Sequence, residues 1–417
     1  MTVTTTRRSG RDAPASPTAP SWLASVRAAV DRPLTSYHLV LGVSALLLTL
    51  GLVMVLSASS VTSYQTYGSS YYVFAKQAAW AAIGLPLAWI ASRLPIRVIR
   101  WFSYPALLLA VALIALTYVP GIGVSVNGNQ NWLSFGGPIT IQPSEIAKLA
   151  LVLWVADLYA RKEKLLGQTR HLLIPMIPVS LLVAMMVVAQ HDLGTALVLF
   201  AIIIGLFWVS GASLRLFTAA VLTFACLAAF LAASDPERVG RLMGFLDPFA
   251  DMQRSGYQAA HGLMALASGQ FWGLGLGASR QKWGTLPEAH TDFIFAVIGE
   301  ELGLFGALCV LALFALLAWA GLRIAERTTE PFARFAAAGI TVWLLTQAIV
   351  NVGMVLGVLP VIGIPLPLIS YGGSALVPTM VALGLLVNFA KTESGAKRAL
   401  AARRRSPRRT AQSPRRR

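Results

Sequence analysis

Residues 38–56 read HLVLGVSALLLTLGLVMVL, an unbroken run without Asp, Glu, Lys or Arg. Wound as a helix at about 1.5 Å per residue, such a run covers most of a bilayer core of roughly 30 Å. It is too long for the apolar region of a secretory signal, although Ser57-Ala58-Ser59 resembles a cleavage site. It reads as an uncleaved first span.

Similar runs recur along the chain. Of its 417 residues, 56% are hydrophobic and 12% charged. Ten candidate spans follow, at about 37–58, 72–92, 103–119, 141–160, 172–190, 194–211, 214–233, 292–322, 332–357 and 366–391. The expected fold is an all-α polytopic membrane protein of about ten transmembrane helices over 37–391, with a long outer loop, 234–291, between helices 7 and 8. Residues 1–36 and 392–417 are polar and basic and are expected to be disordered tails. The connection GMVLGVLPVIGIPLPLIS, 353–370, is apolar but holds Pro360, Pro365 and Pro367. It reads as a broken or re-entrant segment, tolerable only where it is buried in protein or lines a cavity.

Charge sets the expected orientation. The formal charge is +17, and 11 of the 34 Lys and Arg lie after Ala390. Such a run reads as a topogenic or lipid-surface segment, and nucleic acid is not an expected partner. The termini and loops 93–102, 161–171, 212–215 and 323–334 together hold 27 of the 34; loop 234–291 holds five. Positive-inside logic places both termini in the cytoplasm and loop 234–291 outside. Cytosolic nucleotide chemistry is therefore not expected in that loop. Cys226 and Cys309 lie in apolar runs, read as small core residues, and imply no disulfide framework.

Polar chemistry concentrates in 273–303, GLGLGASRQKWGTLPEAHTDFIFAVIGEELG, with Arg280, Lys282, Glu288, His290, Asp292, Glu300 and Glu301. Beside membrane segments such residues suggest a functional site. Asp292 opens an apolar run, and two readings stand: a helix cap, or a base whose pKa rises through desolvation. Glu300 and Glu301 read as rim charges or as partners for loop cations. Gln142, Glu145 and Lys148 share one helix face, as an ion pair between helices or as a cavity wall meeting phosphate or sugar. Asp192 reads as a helix cap or a supporting acid. In Ser370-Tyr371-Gly372-Gly373-Ser374 small residues permit close backbone approach, for packing or substrate contact. GLGLG has no strand–turn–helix context for phosphate, and neither HExxH nor CxxC occurs.

In order, the chain holds Ile141-Gln142-Pro143-Ser144-Glu145 with Lys148, Asp192-Leu193-Gly194-Thr195, Phe245-Leu246-Asp247-Pro248, Gly256-Tyr257-Gln258, LPEAHTDFIFAVIGEELG from Leu286 and LPLISYGGSAL from Leu366. Together these motifs resemble the SEDS family (shape, elongation, division and sporulation) of bacterial cell-wall proteins, over nearly all of 37–391. The PEAHTD wording and polar ends are more similar to its division members than to its elongation members. Two positions depart from the pattern: Asn131 stands where an arginine often precedes the tryptophan, and His191 where proline is common.

The resemblance implies a plasma-membrane peptidoglycan glycosyltransferase at the division septum. It would polymerise lipid II with inversion and release undecaprenyl pyrophosphate. Its implied partners are an FtsI-like class B penicillin-binding protein and other divisome proteins. The family's essential aspartate corresponds to Asp292. Candidate substrate or pyrophosphate contacts are Lys148, Arg241, Lys282, Glu145, Glu288, Ser370 and Gly372, supported by Asp192, Glu300 and Glu301. No cofactor is required by the residues; a divalent cation, Mg or Mn, is left open as an aid. The competing readings are a lipid II flippase and a scaffold that activates the penicillin-binding protein.

Overall fold

The computed structural model describes residues 32–405, except 127, 135, 137–139, 234–238, 241–243, 246 and 254–255. The opening run is helix α1, Thr35–Tyr67, followed by α2, Tyr72–Ala91, and α3, Ile96–Leu116. Next come α4, Pro143–Arg161; α5, Met176–Ala189, preceded by the short helix Thr169–Leu173; α6, Leu193–Val209; and α7, Leu214–Ala233. After the long loop follow α9, Ile294–Arg327; α10, Pro331–Val355; and α11, Gly373–Ala390. Helices thus occupy all ten expected positions. Among the described residues, eight helical segments are long and apolar enough to cross a membrane. The other two positions hold α6, with 17 residues, and α4, which carries Glu145, Lys148, Asp157 and Arg161.

The charges of α4 are tolerated because the helix is enclosed. It packs against α3 and α10, and α10 packs in turn against α6 and α9. A second group joins α1, α2 and α11. No residue of α7 is buried, so that helix is peripheral. Cys226 on α7 and Cys309 on α9 are exposed free thiols, not core residues. Apolar character alone does not distinguish an interior position from a lipid-facing one.

The basic loops expected to share one side meet at one end. Arg100 pairs with Asp157 at 2.6 Å and approaches Glu330 at 3.7 Å, and Arg334 pairs with Glu163 at 2.7 Å. The tail joins them where Lys391 Nζ donates to the Ser92 carbonyl at 2.7 Å. This tail is not wholly structureless. Ser394–Arg405 form α12, for which Ala, Leu, Lys and Arg are strong formers, and Ala396 is buried. Residues 1–31 and 406–417 lie outside the described residues.

The connections after α3 and α7 hold more structure than expected. Three strands, β1, Gly123–Val126, β2, Asn129–Ser134, and β3, Thr140–Ile141, form a small antiparallel sheet, with Val126 opposite Asn129. Within the long loop, Tyr257–Gly269 form α8, which packs on α9.

Helix α9 is interrupted. Gly303, at φ 69° and ψ −167°, breaks it, and the stretch 270–275 lies alongside. Leu274 and Gly275 amides donate to the carbonyls of Glu300 and Glu301, while Leu304 N–H donates to the Gln270 carbonyl, at 2.9–3.0 Å. The loop backbone therefore satisfies groups the broken helix orphans. A side chain at Gly273 would place Cβ 2.2 Å from the Glu301 carbonyl oxygen. The GLGLG run serves this close approach.

The proline-broken segment behaves as expected. Residues 360–366 form no regular element, and Ile364, Leu366, Leu368 and Ile369 are buried. Helix α11 begins at Gly373, not near residue 366, because Leu368, at φ 66°, turns the chain out of right-handed helical geometry.

Candidate active site

Asp292 sits on a turn, one residue before the cap of α9. The amides of Thr291 and Phe293 both donate to the Glu288 carbonyl at 3.1 Å, and Thr291 Oγ1 donates to Glu288 Oε2 at 2.5 Å. Glu288 itself has φ 56°, a left-handed conformation that costs a non-glycine residue about 1–2 kcal/mol. Three consecutive carbonyls are then gripped from outside the turn. Tyr371 N–H donates to His290 at 2.9 Å, Ser370 Oγ to Thr291 at 2.6 Å, and Asn351 Nδ2 to Asp292 at 2.7 Å.

The grip is itself braced. Gln77 on α2 donates to the Ser370 carbonyl and accepts from Gly372 N–H, each at 3.1 Å. Ser370 Oγ accepts from Leu366 N–H at 2.7 Å. Ser370 and Gly372 therefore fix the turn through bonds internal to the protein.

The Asp292 carboxylate is left unbound by its neighbours. Phe293 is the cap of α9 and no side-chain cap bond forms, so the helix-capping reading fails. Among the described residues no donor reaches the carboxylate. Its surface is partly open, yet protein surrounds most of it. Gly363, at φ 77°, stands behind it; a Cβ there would lie 3.3 Å from Asp292 Oδ2. Burial, then the negative charges of Glu288 and Asp192, push the Asp292 pKa up to about 7. Burial also lowers the pKa of His290, against the pull of Glu288.

Asp192 contrasts with it. Its carboxylate accepts from Thr195 N–H at 2.9 Å, capping α6, and from Thr195 Oγ1, Asn131 Nδ2 and Gln142 Nε2 at 2.8–2.9 Å. Four donors hold it as a charged joint between β2, α4 and α6. The acid fixed by hydrogen bonds and the acid left bare face one another electrostatically.

The other predicted residues divide. Lys148 and Glu145, three residues apart on α4, form a buried pair at 2.7 Å within that one helix, and only the ammonium's approach to the Trp343 ring of α10, at 5.5 Å, crosses between helices. Lys282 is buried, its Nζ donating to the Gly277 carbonyl at 2.6 Å and lying 3.4 Å from Glu301. Neither lysine is among the charges acting on Asp292. Glu300 and Glu301 are buried, not rim charges. Glu301 accepts from Ser57, Gly277 N–H and Ser279 N–H; Glu300 accepts from Ser279 Oγ and Arg280 N–H. They anchor the 273–283 loop to α1 and α9. Arg241 lies outside the described residues. Among the described residues no group of three or more His, Cys, Asp or Glu is placed to hold a metal ion.

Residues 37–395 match the family described as cell cycle protein, of FtsW, RodA and SpoVE type. The chain belongs to this family. It is 42% identical over 375 residues to a probable peptidoglycan glycosyltransferase FtsW of Mycobacterium tuberculosis, covering 90% of this chain and 71% of that one. A protein of the same description from Legionella pneumophila is 38% identical, with 86% and 92% covered. A solved chain described under "Structural coordination of polymerization and crosslinking by a peptidoglycan synthase complex" superposes with TM-score 0.69 at 28% identity, covering 84% and 96%. The rod shape determining protein RodA of Thermus thermophilus gives TM-score 0.62 at 26% identity, with 85% and 96% covered.

Within this family fold, sequence reasoning passed over Asn351, Gln77 and Gly363. The first two had a legible signal, an amide inside a largely apolar helix, where hydrogen-bonding groups need partners. Gly363 had none, because its importance lies in what it approaches.

Proposed function

We propose that this multi-pass membrane protein is a peptidoglycan glycosyltransferase that polymerises lipid II during septal wall synthesis, with Asp292 as its general base. The observation that carries the reading is the Asp292 carboxylate: held by its backbone, free of donors, and with a pKa near 7. A base is most effective when its pKa lies near the working pH.

Asp292 accepts the proton of the acceptor N-acetylglucosamine 4-hydroxyl. That oxygen attacks the anomeric carbon of the donor N-acetylmuramic acid, and the bond to undecaprenyl pyrophosphate breaks, carrying the electron pair away on the leaving group. One base and one displacement invert the centre. The neutral form of His290 adds no positive charge beside the base. Since Lys148 and Lys282 are committed to internal partners, Arg241 is our candidate for the leaving pyrophosphate.

The distribution of basic loops supports an outward-facing site with both termini in the cytoplasm. A class B penicillin-binding protein, the transpeptidase, would crosslink the emerging strands. The test is polymerisation of purified lipid II by the full chain, alone and with that partner. Wild type should form glycan chains, and Asp292→Asn should fold, bind the partner and form none. Normal chains from Asp292→Asn would remove Asp292 as base, and acceleration of lipid II flipping without chain growth would favour the flippase.

A further inference from the structure

A cavity of about 920 Å³ lies between α1, α2 and α11, apart from the Asp292 site. Its walls are mostly apolar, with Leu41, Leu48, Leu85, Met380 and Leu383 among them. Leu41, Leu85 and Trp89 are more than half exposed, so the cavity opens sideways, toward the lipid. Its two charged lining residues are both basic: Arg93, just beyond α2, and Lys391, just beyond α11. Arg93 stacks over Trp89 at 4.3 Å; Lys391 donates to the Ser92 carbonyl and lies 5.6 Å from the Tyr37 ring. None of these contacts supplies a negative charge, and burial, then the charge of Arg93, lowers the Lys391 pKa. Both cations lie at the end where the basic loops gather.

The depth of the cavity is that of one leaflet. Along α1 its lining runs from Tyr37 to Leu48, and along α11 from Met380 to Lys391. Each stretch rises about 16 Å, close to half of a roughly 30 Å bilayer core. Leu368, in the proline-broken segment, also lines the cavity, and its carbonyl lies against Gly51, three residues beyond Leu48 on α1.

We propose that this slot binds an anionic phospholipid of the cytoplasmic leaflet, its phosphate between Arg93 and Lys391 and an acyl chain along α1 and α11. Charge selects the headgroup, since basic residues at that surface attract anionic lipid. Depth selects the tail: an undecaprenyl chain is far longer than one leaflet is deep. The chain's own tails are poor occupants, because 1–36 and 392–417 are rich in arginine, which Arg93 and Lys391 repel. A seated acyl chain would press on Leu368, two residues from the Ser370 that holds Thr291, so lipid occupancy also buttresses the outer site.

The test is native mass spectrometry of the delipidated full chain with phosphatidylglycerol, phosphatidylcholine or undecaprenyl phosphate, which reads binding without reference to polymerisation. Phosphatidylglycerol should be retained in preference to the other two. The double variant Arg93→Gln/Lys391→Gln should retain it about 30-fold less, the equivalent of about 1 kcal/mol for each basic residue. Ala45→Trp, which fills the slot and leaves both charges, should also reduce retention. Unfolding temperatures establish that each variant is folded, and a misfolded variant leaves the decision to the other and to the lipid preference. Equal retention of phosphatidylcholine, unchanged retention by the folded double variant, or displacement by undecaprenyl phosphate would overturn the proposal.

Discussion

Asn351 holds the backbone of Asp292 from across the helix boundary. Its Nδ2 donates to the Asp292 carbonyl and to the Ile364 carbonyl, each at 2.7 Å. One amide thus ties the residue before α9 to the proline-broken segment. Asn351→Leu orphans both carbonyls, at about 1–3 kcal/mol for each buried group left unpaired. The expected result is a lower unfolding temperature and a fall in kcat of about 10–100-fold, the order of loss from displacing a positioned base. KM should change little, as a positioning residue does not touch substrate. Initial rates on lipid II alongside thermal melts separate the two effects.

Removing the charge at Asp292 tests the base directly. Asp292→Asn should lower polymerisation by about 10²–10⁴-fold or more. In the wild type the rate should rise with pH toward a plateau above about 7, as the carboxyl loses its proton. A flat profile between pH 5.5 and 8.5 would argue against the assignment.

The same shift makes a stability prediction. The folded pKa of about 7 lies above the ordinary value of 3.8, so the folded state favours the protonated acid. Its contribution is fully present below pH 3.8, is lost as pH rises, and stays lost above about 7. Asp292→Asn should therefore be more stable than wild type above pH 7, by up to ~4 kcal/mol. The gap should narrow as pH falls toward 4, which melting curves across that range would show.

Glu301 should matter to the loop more than to the chemistry. Glu301→Ala leaves Lys282 buried without its carboxylate, a loss of about 3–5 kcal/mol for a broken buried pair. The expected outcome is faster proteolysis within 273–283 and a lower unfolding temperature.

Gly363→Ala introduces a methyl behind the base. The left-handed backbone alone costs about 1–2 kcal/mol. Further desolvation of Asp292 should also move the pH–rate midpoint upward. An unchanged midpoint in a folded variant would show that the carboxylate does not feel that position.

The helices were legible because each span is a long local pattern. Asp292 stood out as an acid at the start of an apolar run, open to reading as a cap or a base, and the family resemblance singled it out among its acidic neighbours. What stayed hidden depended on contacts between distant segments. The partnership of Glu300 and Glu301 with 273–283 needed the break at Gly303, and GLGLG is equally compatible with many loops. Lys148 meets Glu145 at the three-residue spacing the sequence displays, whereas Lys282 meets the Gly277 carbonyl and Glu301 through a loop fold that no local pattern specifies. The β-sheet had a local signal, Asn127-Gly128 between alternating residues, but its strands are short beside the spans around them.

The three gripped carbonyls have a consequence for variation. Tyr371, Ser370 and Asn351 hold residues 290–292 by main-chain oxygen alone. Side chains at 290 and 291 can therefore change without removing these three bonds, with the Thr291 hydroxyl's bond to Glu288 the one contact that a change at 291 would lose. Recognition at the rim and placement of the base are separable traits, free to drift at different rates.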